Sequence, residues 1–203
     1  MWSTGSCWRA MTKFTCGGRQ PAVMSDSEGT TEGLQDPESV LVGLGALEEG
    51  DDGDLRLTEA FRNAWREEIA DVKESDAQRE EIAAMLETDD EADIEFEVFQ
   101  EAFKILVDGR VIGLLESRAA FYADLAGARL LGDRYDDWEA LSVADRSRLL
   151  KGLRLFLEQC PECGYEVTFD TKEVESCCGS HPVAAVDCGR CGARLFESAP
   201  IAE

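Results

Sequence analysis

The sequence predicts a mainly α fold: a helical N-terminal domain followed by a small C-terminal β unit. Three observations carry that prediction. Between residues 37 and 158, apolar side chains recur at helical spacing behind residues suited to cap helices. From Cys160 onward, cysteine and glycine become frequent and short alternating segments replace the helical period. The two patterns meet after "DRSRLLKGLRLFL" at 145–157, the most basic window of an otherwise acidic body.

Taken in order, "MWSTGSCWRAMTKFTCGGRQPAV" holds three basic residues and no acid, and the character turns acidic and loop-like from Met24. It has no continuous apolar stretch of the kind a secretory signal needs. Residues 1–36 are therefore expected to be disordered or to include a start-site extension, with translation beginning at Met24 and no role for Cys7 or Cys16. Asp36 then caps a helix with Pro37 at its first position, and Val40, Leu41, Leu44 and Leu47 follow at helical spacing. "EEGDDGDLRL" reads as an acidic turn with a short extended stretch. Thr58 caps the next helix, whose stripe is Phe61, Trp65, Ile69 and Val72. Ser75 and Gln78 have capping-box spacing ahead of Ile82, Met85 and Leu86.

"ETDDEADIEFE" at 87–97 packs carboxylates densely but lacks the central Gly of a calcium loop, so a solvated loop is the expectation. Phe99, Phe103 and Leu106 are expected on a further helix that Asp108-Gly109 ends or bends. A longer helix is expected from Val111 to about Leu131, with Gly113 and Gly127 marking close packing or a break. Ser142 and Asp145 open the last helix, which buries Leu149, Leu150, Leu153 and Phe156. The sum is an acidic all-α domain over residues 37–158.

The cysteines carry the sharpest signal. Cys160/Cys163 and Cys188/Cys191 are two C-x2-C pairs, each followed by Gly, at Gly164 and Gly192. Such a turn sets two sulfurs on one side of a tight knuckle, and a trailing Gly tolerates the positive φ it needs. Two knuckles joined by a hairpin supply four thiolates, which zinc takes tetrahedrally. The expected unit is a zinc ribbon over residues 159–203 with one structural Zn2+. Iron in a rubredoxin-like site is the nearest rival. Disulfides do not suit a chain without a secretion signal, and a thioredoxin-like C-x-x-C needs a βαβ setting that is absent here. Cys177 and Cys178 are adjacent, so on a strand they face opposite ways and cannot easily share one site. His181, the chain's single histidine, is expected in a turn, exposed or packed, and not as a ligand. One histidine also excludes a di-iron carboxylate bundle.

"CPECG", "VESCCGSH" and "CGRCGARLFES" together resemble the C-terminal zinc ribbon of uncharacterised CPxCG-type zinc-finger proteins of halophilic archaea. The likeness covers about residues 160–198. It implies a ribbon fold with zinc at Cys160, Cys163, Cys188 and Cys191, and no particular activity.

Charge narrows the function classes. Acidic residues number 43 against 20 basic ones, a formal net charge of -23. That balance, with Arg favoured over Lys, resembles the proteins of salt-loving archaea. It disfavours bare nucleic acid and anionic membranes at ordinary salt. No run of eighteen apolar residues is present. A four-thiolate zinc is coordinatively closed, and no phosphate loop or nucleophile set accompanies it, so the chain is read as not an enzyme. The leading expectation is a cytoplasmic adaptor that binds a protein partner and has no small-molecule substrate. The alternative is a transcription-associated nucleic-acid binder. It would use Arg146, Arg148, Lys151 and Arg154 of the basic helix with Arg190 and Arg194 of the second knuckle, and "LGALEEGDDGDLRLT" resembles the helix-then-turn region of winged-helix proteins.

Overall fold

Asp36 accepts the Ser39 backbone N–H at 3.2 Å and opens the first helix, α1 (Pro37–Gly43). The computed structural model begins at that cap: it describes residues 36–201, except residue 52, residues 89–91 and residues 177–178. Residues 1–35 and the Cys177–Cys178 pair, with the expectations placed on them, lie outside the described residues. After α1, strands β1 (Leu47–Glu49) and β2 (Leu55–Leu57) pair as a short antiparallel hairpin. Thr58 caps α2 (Glu59–Glu74) by accepting from the Phe61 N–H. The predicted stripe of Phe61, Trp65, Ile69 and Val72 is buried along it. The helix α3 (Gln78–Leu86) follows without the Ser75–Gln78 capping box: Ala77 stands at its N-cap, and the Gln78 amide turns back to the Val72 carbonyl.

The body is not mainly α. Residues 94–115 form an antiparallel sheet in the order β3-β4-β5, made of β3 (Ile94–Phe99), β4 (Ala102–Val107) and β5 (Arg110–Leu115). "IEFEV" alternates apolar and acidic with period two, and that period governs here, not the helical spacing of Phe99, Phe103 and Leu106. Asp108-Gly109 neither ends nor bends a helix. Both residues have positive φ, 50° and 71°, which is the two-residue hairpin turn whose twist matches its flanking strands. Gly113 lies under Ile105, where a Cβ would come within 3.2 Å, so close packing holds at this position.

Ser117, after β5, caps α4 (Arg118–Gly132) by accepting the Ala120 N–H. Helix α4 is the axle of the body. Its Phe121 ring meets Phe103 at 4.7 Å and Phe96 at 5.0 Å, which docks the sheet. On its other side the Trp65 indole donates to the Ala123 carbonyl at 3.0 Å. A Cβ at Gly127 would sit 3.0 Å from Leu150, so glycine there lets α4 approach α5 (Val143–Arg154). Between these helices runs a 3-10 turn, Trp138–Ala140. Ser142 caps α5 and forms the expected reciprocal pair with Asp145, accepting its N–H at 3.1 Å and donating to its carboxylate at 2.7 Å.

The C-terminal unit is a sheet in the order β6-β7-β8: β6 (Val167–Ser176), β7 (Gly179–Cys188) and β8 (Arg194–Glu197). His181 stands on β7 opposite Val174, so it belongs to a strand and not to a turn. With three small antiparallel sheets among the described residues, the fold is mixed α and β throughout.

Candidate metal centre

The two knuckles are built alike. Cys160 N–H donates to the Tyr165 carbonyl at 2.7 Å and Gly164 N–H to the Cys160 carbonyl at 2.8 Å. In the second knuckle, Cys188 N–H donates to Ala193 at 2.9 Å and Gly192 N–H to Cys188 at 3.0 Å. Gly164 and Gly192 hold φ of 71° and 75°, the left-handed conformation that a side chain would strain. The turns aim amides at sulfur. Glu162 and Cys163 N–H groups point at the Cys160 sulfur, and those of Arg190 and Cys191 at the Cys188 sulfur.

All four sulfurs lie within 4.8 Å of one another. Across the knuckles, Cys160 Sγ is 3.6 Å from Cys191 Sγ, and Cys163 Sγ is 3.5 Å from Cys188 Sγ. Those separations exceed a disulfide bond and approach the edge of about 3.8 Å that a tetrahedron with 2.3 Å metal–sulfur bonds requires. The donor set therefore fits a thiophilic divalent ion. Burial pushes the Cys160 thiol up. Burial acts the same way on Cys188, but the amides of Cys191 and Arg190 outweigh it and draw that thiol down to about 7. Cys188 is thus the thiol poised to ionise near neutrality, and a metal would take all four as thiolates. Cys160 and Cys188 are buried, whereas Cys191 is exposed, so the centre lies just beneath the surface.

The body grips the ribbon from several sides. Lys73 on α2 donates to the carbonyls of Pro161 and Glu162, both at 2.8 Å, inside the first knuckle. Ser117 Oγ donates to the Arg194 carbonyl at 2.6 Å, and Arg154 Nη1 donates to the Leu195 carbonyl. Arg62 and Arg66 pair with Glu158 at 3.0 and 3.3 Å. Ala119 of α4 packs into the small apolar cluster of Cys160, Val186, Cys188 and Leu195. Lys73 and Ser117 carry no motif: each is one polar residue on a helix or at its cap, and its partner lies about eighty residues away.

The six cations singled out in the sequence do not converge. Arg146 is 7% exposed and donates to the carbonyls of Trp138, Glu139 and Met85. Arg154 is 4% exposed and lies between Glu116, at 2.6 Å, and Asp124, at 2.9 Å. Burial opposes ionisation of both carboxyls. Arg154 overcomes it at Glu116, which stays below the usual range, while Asp124 rises to about 7. Lys151 pairs with Glu116 at 3.5 Å and lies over the Phe196 ring, and Arg148 meets Asp145 at 3.6 Å. Arg194 pairs with Asp187 at 3.0 Å and with Glu197. Arg190 is exposed on the second knuckle. The basic helix is thus largely spent on internal pairing. No helix among the described residues is long and apolar enough to cross a membrane.

Two family models match the chain, and neither adds an activity. The central-domain profile of a family of unknown function, DUF8054, matches residues 36–155, and its C-terminal-domain profile matches residues 158–198. Neither description assigns a metal or a source organism, so the likeness to haloarchaeal ribbons rests on the cysteine motifs alone. No curated protein and no solved structure matches the chain. On the extent of these two matches, the chain belongs to the DUF8054 family, whose function is unknown.

Proposed function

We propose that this chain is a non-enzymatic zinc protein in which a four-cysteine ribbon, seated on an α/β body, presents a surface to a protein partner. The observation that carries the metal is the cluster of Cys160, Cys163, Cys188 and Cys191 sulfurs with backbone amides aimed at them. Zinc in that set would supply folding free energy on the order of 10 kcal/mol and no open position for water or substrate. Four reduced cysteines support a cytoplasmic setting. The charge of -23 supports a chain suited to high salt.

A protein partner is favoured over nucleic acid because Arg146 and Arg154 are committed inside the body. Residues 160–203 also carry three basic against eight acidic residues, and little cationic surface remains for a phosphate backbone. Elemental analysis with an absorption spectrum tests the metal: one zinc per chain and no visible bands are expected, and thiolate-to-iron bands would replace zinc by iron. Affinity capture of the intact, metal-loaded chain at high salt tests the partner. Saturable binding to duplex DNA, lost when Arg148, Lys151 and Arg190 are neutralised, would overturn the adaptor reading.

A further inference from the structure

Three arginines are drawn into the helical body, and they differ in one respect. Arg129 holds Glu81 through two bonds, at 2.8 and 2.5 Å, and reaches Glu68 at 3.2 Å. Arg154 lies between Glu116 and Asp124. Arg146 is as deeply placed, at 7% exposure, yet no carboxylate among the described residues pairs with it. Its partners are carbonyls only: Trp138 at 3.1 Å, Glu139 at 2.8 Å and Met85 at 3.4 Å. A guanidinium has five N–H groups, so three carbonyl bonds leave donors over, and carbonyl dipoles do not neutralise the charge. Burial of a cation without a counter-ion is costly, and a fold usually offsets it with a carboxylate.

Arg146 also lines a hollow of about 490 Å³ between α3, α4 and the 3-10 turn. That volume lies in the range of small-molecule sites. Its apolar wall is Met85, Leu125, Ala128 and the face of Trp138, over which the Arg146 guanidinium stands at 5.7 Å. Small side chains at Ala84 and Ala128 leave the room. The lining also holds Arg129 and Glu81, which are paired with each other, and at the rim Glu87 and Glu139 are exposed and acidic.

From the unpaired buried cation and the hollow beside it, we infer that this hollow binds a small monocarboxylate with an apolar or aromatic body. The carboxylate supplies the anion that Arg146 lacks, in a setting where a charge-assisted hydrogen bond is strong. The apolar body covers Leu125, Ala128 and Trp138. Arg129 is already neutralised by Glu81 and Glu68, so the rim acids Glu87 and Glu139 select against a second negative charge and disfavour phosphate and dicarboxylates by repulsion. The site is separate from the cysteine centre and does not depend on the partner proposed for it.

The test is a ligand-observed NMR titration of the full, metal-loaded chain with three probes: 3-phenylpropionate, phenethylamine and inorganic phosphate. Binding of 3-phenylpropionate alone is expected. Arg146 also braces three carbonyls, so Arg146→Met can fail to fold. Ala84→Phe keeps the arginine and fills the hollow from an exposed position on α3, and it is expected to weaken 3-phenylpropionate tenfold or more. Arg146→Lys, where it folds, is expected to weaken it as well, since a lysine loses the planar fork. The inference is overturned by absence of 3-phenylpropionate binding through the low-millimolar range. Equal binding of phenethylamine, or binding that survives Ala84→Phe unchanged, overturns it too.

Discussion

The body and the ribbon solve the same problem on different scales. In the body, Leu41, Phe61, Trp65, Phe121, Leu131, Leu149 and Leu153 are each at most 2% exposed, and they come from α1, α2, α4 and α5. A core of that size holds its own elements together by removing apolar surface from water. In the ribbon, the buried cluster is Val186, Leu195, two of the four cysteines and Ala119 contributed by α4, with Val183 and Ala185 buried beside it on β7. Among the described residues of the ribbon, no buried aromatic comparable to Trp65 or Phe121 is present. The ribbon therefore leans on outside support, carbonyl bonds from the body's Lys73, Ser117 and Arg154 and any metal that its four-cysteine cluster would hold. A small unit can be rigid without a large core if coordination and a neighbour supply what packing cannot.

The largest effect expected is loss of a ligand. If the four-cysteine cluster holds zinc as proposed, Cys163→Ser or Cys188→Ser should remove it and the folding free energy it would bring, on the order of 10 kcal/mol. Hydrogen exchange should then be fast in β6–β8 while α2 and α4 amides remain protected. Equal loss of protection in both regions would erase the distinction between them. Next is Arg154→Met, which leaves half-buried Asp124 without its cation and Glu116 with Lys151 alone, and cuts the bond to Leu195. A cost of about 3–5 kcal/mol is expected, with denaturant midpoints falling for body and ribbon together.

Asp124→Asn tests the same junction by pH. In the folded chain Asp124 titrates near 7, above its ordinary value of 3.8, so the native state binds more protons between the two. Stability contributed by that proton is present at low pH and is lost as pH rises toward and through 7. The asparagine variant should flatten the profile between about pH 4 and pH 7. Above neutrality it should be more stable than the parent, on the order of 1–2 kcal/mol. An unchanged slope would mean that Arg154 keeps both carboxylates ionised. The smallest effect is expected from Lys73→Met, about 1 kcal/mol, because the ammonium is exposed. Its readout is faster metal release to a chelator with body stability unchanged.

The site was more legible in the sequence than the body. Cys160, Cys163, Cys188 and Cys191 announce themselves because thiolate coordination needs fixed spacing and the trailing glycines are tied to a backbone angle. The helices α1, α2 and α5 were equally readable from Asp36, Thr58 and Ser142, since a cap is a local hydrogen bond. Over the sheet at 94–115 the sequence reads as a solvated loop to residue 97 and as helix beyond it, although Asp108-Gly109 is a hairpin signal and Ile94–Val98 alternates. Apolar residues such as Phe99, Phe103 and Leu106 satisfy a period near 3.6 as well as a strand in a short window, and the helical reading of the surroundings carried over.

By itself, the sequence determined the two cysteine pairs that cluster, the caps of α1, α2 and α5 and the acidic balance. These are written in single residues or in spacings of three to five, where the chain's own geometry decides the outcome. Only the tertiary structure decided which cations are free. Arg146 and Arg154 look alike in one basic helix, yet one meets carbonyls beside a hollow and the other meets two carboxylates and the ribbon. Those partners lie up to 61 residues away in the chain, and an ion pair depends on distance in space, which no local pattern records.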